Sequence, residues 1–125
     1  MQKEVRMVKA LIAHSGPQQN NFILSEEAIR NMHNSKNEGK PLFNRIDYNT
    51  DKLCGYLNRT ELVRGDTGRL ELWGYFTYTY DGTDFSKEGE CSYQISYRSE
   101  DFDDERGILK DGASLINCTM VKSLD

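Results

Sequence analysis

Few side chains in this sequence are equipped for chemistry, and their spacing limits what they could do. The histidines are His14 and His33, and the cysteines are Cys54, Cys91 and Cys118. No Cys-x-x-Cys pair and no adjacent histidine gives the spacing of a zinc site. Widely spaced thiols in odd number fit reduced cysteines of a cytosolic protein. Each lies in an alternating apolar pattern, where a thiol acts as a small buried hydrophobe. A nucleophilic cysteine would need one of the two histidines as its partner. Asp101-Phe102-Asp103-Asp104-Glu105 is the densest acidic run. It fails as an EF-hand loop, because the glycine is displaced to Gly107 and Gly112 stands where the closing bidentate glutamate belongs. Phosphate-binding glycine loops, G-x-S-x-G elbows and H-E-x-x-H helices are absent. The residues on their own give no reason to expect a metal or a cofactor.

The aromatic pair Trp73 and Tyr75 is the clearest binding signal. At i and i+2 of a strand, both side chains lie on one face. Trp and Tyr dominate interface hot spots, which makes these two the candidate binding residues. They would serve equally well as a second packing layer beneath a helix, and both readings stay open. Other motifs carry less. Arg64-Gly65-Asp66 spells an adhesion tripeptide but sits in hairpin-turn sequence. Asn58-Arg59-Thr60 and Asn117-Cys118-Thr119 match the N-glycosylation pattern, which matters only for a secreted chain.

The elements that must hold these residues are mostly strands. Val5 to Ala13 is apolar and β-branched enough for a first strand, ended by His14-Ser15-Gly16-Pro17. Ser25 is a helix N-cap, with Glu26 and Glu27 in the first turn where they favour the helix dipole. Leu24 and Ile29 are spaced for a hydrophobic staple, and Ala28, Ile29 and Met32 form a short apolar stripe. This predicts one principal helix near residues 25–36. From Pro41 onward the period is two. Leu42, Phe43 and Ile46 suggest a short strand, and Leu53 to Val63 a longer one. Gly55 within the longer strand marks a bulge or a close backbone approach. Gly65-Asp66-Thr67-Gly68 reads as a hairpin turn. Leu70, Leu72, Gly74, Phe76, Tyr78 and Tyr80 then alternate with Glu71, Trp73, Tyr75, Thr77 and Thr79. Asp81-Gly82-Thr83 closes that strand. Cys91 to Tyr97 alternates again, and Ile108-Leu109 and Leu115 to Val121 form a final pair about an Asp111-Gly112 turn. The expectation is α+β: a mostly antiparallel sheet or small barrel of about six strands, with one helix.

Length and composition bound the rest. A chain of 125 residues is one domain, 1–125. Leu, Ile, Val and Phe number 27, close to the lower limit of about 20% for a folded domain. That allows a small core and excludes a large enzyme-style one. No apolar run approaches the ~18 residues of a membrane span. Met1-Gln2-Lys3-Glu4 does not open a signal peptide, so the expected location is not extracellular. The net charge of −4 is unevenly placed: +3 over residues 1–45, −1 over 46–80 and −6 over 81–125. The acidic final third argues against general nucleic-acid binding, which needs clustered Lys and Arg. It allows a dipolar molecule whose basic end meets the acidic end of a neighbour, and it fits a solvated acidic loop better still.

The order of the pieces resembles a known layout. Ala10-Leu11-Ile12-Ala13 leads to Gln18-Gln19-Asn20-Asn21-Phe22, then Ser25-Glu26-Glu27-Ala28-Ile29 and Gly39-Lys40-Pro41. A turn from Asp47 to Lys52 runs into Leu53-Cys54-Gly55. Gln94-Ile95-Ser96-Tyr97-Arg98 and Leu115 to Val121 follow late in the chain. Over residues 8–121 this is similar to the tailed-phage prohead maturation proteases, the assemblin-like serine proteases. The resemblance implies a β-barrel-type fold that carries a catalytic His and Ser. The family histidine would fall in the turn before Gly55, where this chain has Tyr48 and Asn49. The family serine would fall at Thr119. A threonine needs an adjacent base to become a nucleophile, and Tyr48, with an unperturbed pKa near ~10, is a poor one. The resemblance therefore implies a relative that has lost its catalytic residues.

Three functions follow as expectations. The first is a non-catalytic phage protein that works by protein contacts or self-assembly, in head assembly or as a capsid component. The second is a phage accessory protein that blunts host defence by binding a host protein or a small nucleotide signal. The third is a residual serine/threonine-type protease with Thr119 as nucleophile. The expected location is the cytoplasm of an infected bacterial host or the virion.

Overall fold

The computed structural model describes residues 4–18, 23–45, 51–80 and 91–120, and its arrangement is α+β. The strands are β1 (Glu4–His14), β2 (Gly16–Pro17), β3 (Ile23–Leu24), β4 (Pro41–Arg45), β5 (Asp51–Arg64) and β6 (Leu70–Tyr80). They continue with β7 (Cys91–Ser96), β8 (Phe102–Asp103), β9 (Ile108–Leu109) and β10 (Ser114–Met120). Helix α1 spans Glu26–Asn34, and a 3-10 turn occupies Ser99–Asp101. The main sheet has six strands in the order β1-β6-β5-β4-β10-β7, and four two-residue strands make a second sheet, β2-β3-β9-β8. Among the described residues, no helix is long and apolar enough to cross a membrane.

The main sheet is antiparallel except where β10 lies parallel to β4. Register shifts between Leu11 and Ala13, Leu42 and Phe43, Leu57 and Arg59, and Leu115 and Asn117 interrupt its ladders. Each shift adds local twist, so the sheet curls. Its edges β1 and β7 approach until the Cys91 thiol donates to the Leu11 carbonyl oxygen at 3.6 Å. Among the described residues no main-chain ladder joins these edges, so the architecture is a curled open sheet rather than a closed barrel.

The alternation in β6 decides which face is core. Leu72 and Phe76 are fully buried and Leu70 and Tyr78 nearly so, while Trp73 and Tyr75 stand half-buried on the opposite face. Ala10 and Ile12 from β1, Leu57 from β5, Leu42 from β4, and Leu115 and Cys118 from β10 join the same core. Helix α1 covers it with Ala28, Ile29 and Met32. The 65–68 turn forms as expected, with the Gly65 amide donating to Arg69 O at 2.9 Å and Gly68 at φ +85°.

The helix starts where the sequence places it. Ser25 Oγ accepts from the Ala28 amide at 3.0 Å, and Leu24 and Ile29 are both buried beside the cap. It stops at Asn34 because later side chains take its last carbonyls. Ser35 Oγ donates to Asn31 O at 2.7 Å, and Asn37 Nδ2 donates to Met32 O at 2.9 Å and to His33 O at 3.1 Å. Ser25 Oγ also donates to Lys110 O at 2.6 Å, which ties the helix start to the chain beyond β9. Ser25→Ala removes both bonds and is expected to lower stability by about 1–2 kcal/mol in a urea titration, at the upper end of N-cap effects.

One expected pairing is not formed. Ile108-Leu109 does not pair with the final strand across Asp111-Gly112. Instead β9 runs parallel to β3 and antiparallel to β8, and β10 pairs with β7 and β4. Leu109 is fully buried, and its carbonyl accepts from the Ser25 amide at 3.0 Å, so β9 is held beneath the helix start. Gly112, at φ +71°, then turns the chain from the small sheet into the large one. The Asp81-Gly82-Thr83 turn, Ile46 and Val121 lie outside the described residues.

Candidate functional site

The face of β1, β6 and β5 opposite the core carries the most unusual chemistry. Pairing sets Lys9 beside Tyr75 on one side of β6 and Arg59 beside Tyr75 on the other. The Lys9 ammonium lies 5.3 Å from the Trp73 ring centre and 5.6 Å from that of Tyr75. The Arg59 guanidinium stacks on Tyr75 at 3.8 Å. Glu61 completes the group: it accepts from the Tyr75 hydroxyl at 2.6 Å and pairs with Lys9 at 3.5 Å. Trp73 Nε1 donates to Glu71 Oε1 at 3.1 Å. The pair expected from the sequence therefore sits within a cation–π cluster, held edge-on by two carboxylates. It is not a packing layer beneath the helix, because α1 covers the other face of the sheet.

The hydrogen bond from Tyr75 is the main reason that the Glu61 carboxyl titrates below the ordinary glutamate range, and Lys9 and Arg59 add to it against a smaller opposing effect of desolvation. A depressed folded pKa means that this contribution is present above the ordinary glutamate pKa and is lost as the pH falls through the depressed value. Tyr75→Phe should move the Glu61 titration back toward the ordinary range in a side-chain carboxyl NMR titration. An unmoved titration would show that the hydroxyl is not what holds the carboxylate.

Beyond the cluster, the same face opens into an apolar groove of about 460 Å3, bordered by Val5, Leu53, Cys54 and Tyr56 and floored by Gly55 and Thr77–Thr79. Met7 pairs with Thr77 at its border and is 79% exposed; Val5 is 64% and Leu53 61% exposed. Gly55 lines this groove where β5 and β6 crowd together. A Cβ there would collide with the Thr77 carbonyl oxygen and come within 2.8 Å of Tyr78 Cα, so the expected close backbone approach is real. Scattered exposed apolar residues need no explanation, but a contiguous set around a groove does.

The residues implied by the protease resemblance are not brought together as a catalytic set among the described residues. Tyr48 and Asn49 lie outside them. Thr119 is half-buried on β10, paired with Phe43 of β4 and Ser92 of β7. Both histidines are engaged elsewhere. His14 Nδ1 lies 2.9 Å from the Ser15 carbonyl, and His33 Nδ1 lies 2.7 Å from Thr60 Oγ1. Thr60 also accepts from Asn37 Nδ2 at 3.4 Å, so this trio ties the helix end to β5. The cysteines are free, with Cys91 and Cys118 buried and Cys54 half-buried. Among the described residues, no group of His, Cys, Asp or Glu is arranged to hold a metal ion.

A second, polar cavity of about 430 Å3 lies at the C-terminal end of α1, where Asn31, Arg98, Asp101 and Asp111 converge. Asn31 Nδ2 donates to Asp111 Oδ1 across it.

Sequence reasoning located Trp73 and Tyr75 but missed their partners Lys9, Arg59 and Glu61 and the groove beside them. The signal for β1 was present: Val5, Met7 and Lys9 alternate with Val8, Ala10 and Ile12. Which of these sets faces solvent depends on pairing with β6, and no local pattern states that. Comparison with protein-family models, curated proteins and solved structures finds no match, so a functional reading of this chain rests on its own residues and geometry.

Proposed function

We propose that this chain is a non-catalytic phage protein of prohead-protease-like type, acting by protein contacts in head assembly or as a capsid component. The observation that carries the contact role is the outer face of β1-β6-β5, where Val5, Met7, Leu53 and Tyr56 are exposed around a groove next to Trp73 and Tyr75. Aromatic anchors beside exposed apolar side chains match the composition of interface cores. The phage assignment is supported by the order of the sequence motifs, and the α+β fold is compatible with it.

The alternatives have weaker supports. A protease would need a base next to Thr119, and the two histidines bond to Ser15 and Thr60 instead. A small nucleotide signal would use the polar cavity, where Arg98 could meet phosphate but Asp101 and Asp111 repel it.

The test is incorporation. Particles and proheads purified from the culture that carries the gene should contain the wild-type chain. A Met7→Glu/Leu53→Glu variant should be depleted from them. Equal incorporation of both overturns the outer face as the contact surface. Absence of the wild type from particles overturns the head-assembly role. Scaffold cleavage that is lost in Thr119→Ala would replace this reading with the protease.

A further inference from the structure

The outer face has a counterpart on the far side of the same molecule. After β7 the chain leaves the main sheet through Tyr97, Arg98 and the 3-10 turn, then enters β8 and the turn that follows it. Glu100, Asp104 and Glu105 are exposed here, and Tyr97 is 46% exposed, with its ring 5.8 Å from that of Phe102. Asp101 faces the cavity at the end of α1, which places this acidic end on the helix side of the sheet. The groove lies on the opposite side, flanked by the exposed cations Lys9, Lys52 and Arg59, of which Lys9 pairs with Glu61. One side thus presents an excess of cations beside an apolar groove, and the other, where the exposed Arg98 and Arg106 pair with Glu100 and Asp103, still presents an excess of carboxylates around an aromatic pair.

Resting on the contact role proposed for the outer face, we infer that its occupant is the acidic end of a second copy of this chain. The two surfaces are opposite in charge, which lowers the barrier set by the repulsion between copies that each carry −4. They are also complementary in kind: the groove on one side can admit an aromatic ring, and Tyr97 projects from the other. Because the two surfaces differ and lie on opposite sides, one molecule cannot satisfy itself. Each contact leaves a free groove and a free acidic end. The association is therefore head-to-tail and grows into a ring or a filament rather than stopping at a two-fold dimer.

Native mass spectrometry and light scattering on the full chain test this with two variants. Met7→Glu/Leu53→Glu blocks the groove, and Asp104→Lys/Glu105→Lys reverses the acidic end. All four positions are exposed, and thermal melts confirm that each variant folds. The wild type should form species larger than a dimer at roughly 0.1 mM protein, well above a micromolar dissociation constant. Association should weaken by about tenfold or more between about 0.1 M and about 1 M salt, as the screening length falls from about 10 Å to about 3 Å. Each folded variant alone should be monomeric, and an equimolar mixture should give a one-to-one heterodimer and nothing larger.

A monomeric wild type overturns the inference. So does an acidic-end variant that assembles like the wild type, which would mean a two-fold contact between identical faces. A mixture of folded variants that stays monomeric overturns it as well. Failure here is separable from failure of the proposed function: a monomer that still enters particles through the outer face refutes only self-assembly. A protein that assembles but is missing from particles refutes only the head-assembly role.

Discussion

Phe76→Ala is expected to destabilise the protein by about 3–5 kcal/mol, the range for removing a fully buried aromatic side chain. Phe76 is the largest side chain in the core with no solvent exposure, and it faces Leu57 across the β5-β6 ladder and Val8 across β1-β6. It also lies close to the Cα of Gly74, where an added Cβ would come within 2.7 Å of its ring. The ring thus fills the space that the glycine leaves, and its removal opens a cavity that neighbouring backbone cannot close. Domains of this kind have about 5–15 kcal/mol to lose in total. Urea unfolding should show a much lower midpoint with an unchanged slope. A loss below about 1 kcal/mol would be outside the range for such a cavity and would mean that this face is not the packed one.

Gly55→Ala should be nearly as damaging, for a different reason. The atom in the way is the Thr77 carbonyl oxygen, part of the β5-β6 ladder, so relief requires the two strands to part. Overpacking costs about 1–3 kcal/mol where side chains can adjust, and a backbone obstacle places this substitution at the top of that range or above it. Since Gly55 also floors the groove, the variant should lose self-association along with stability. Thermal melts and native mass spectrometry together check this. A variant with wild-type stability would show that the strands do not approach as closely as described.

These two positions show how much the sequence disclosed. Gly55 inside an otherwise β-forming run signalled a close approach before any partner strand was known. Phe76 could be assigned to the Leu70-Leu72-Tyr78 side because a strand repeats every two residues. The helix start was legible because Ser25, Leu24 and Ile29 act within one turn of each other. Its end was less so: Asn37, three residues past the helix, takes two of its last carbonyls. The sequence suggests a β9-β10 pairing because Asp111-Gly112 has the chemistry of a hairpin turn, yet here it carries the chain between sheets. Turn chemistry states that the chain bends, and burial of Leu109 decides where it goes.

By itself the sequence determined the α+β class, the helix start with its Ser25 cap, the two-residue alternation of the long strands, and the placing of Trp73 and Tyr75 on one face of a strand. All of these depend on interactions within a few residues or on strict alternation. Only the tertiary structure decided that β10 runs parallel to β4 and that the curled sheet stays open. It alone set Lys9, Arg59 and Glu61 around the aromatic pair, and placed the apolar groove and the acidic end on opposite sides. Those features join residues up to eighty positions apart, as Cys91 and Leu11 are. They follow from ladder register and shared burial, which local sequence does not encode.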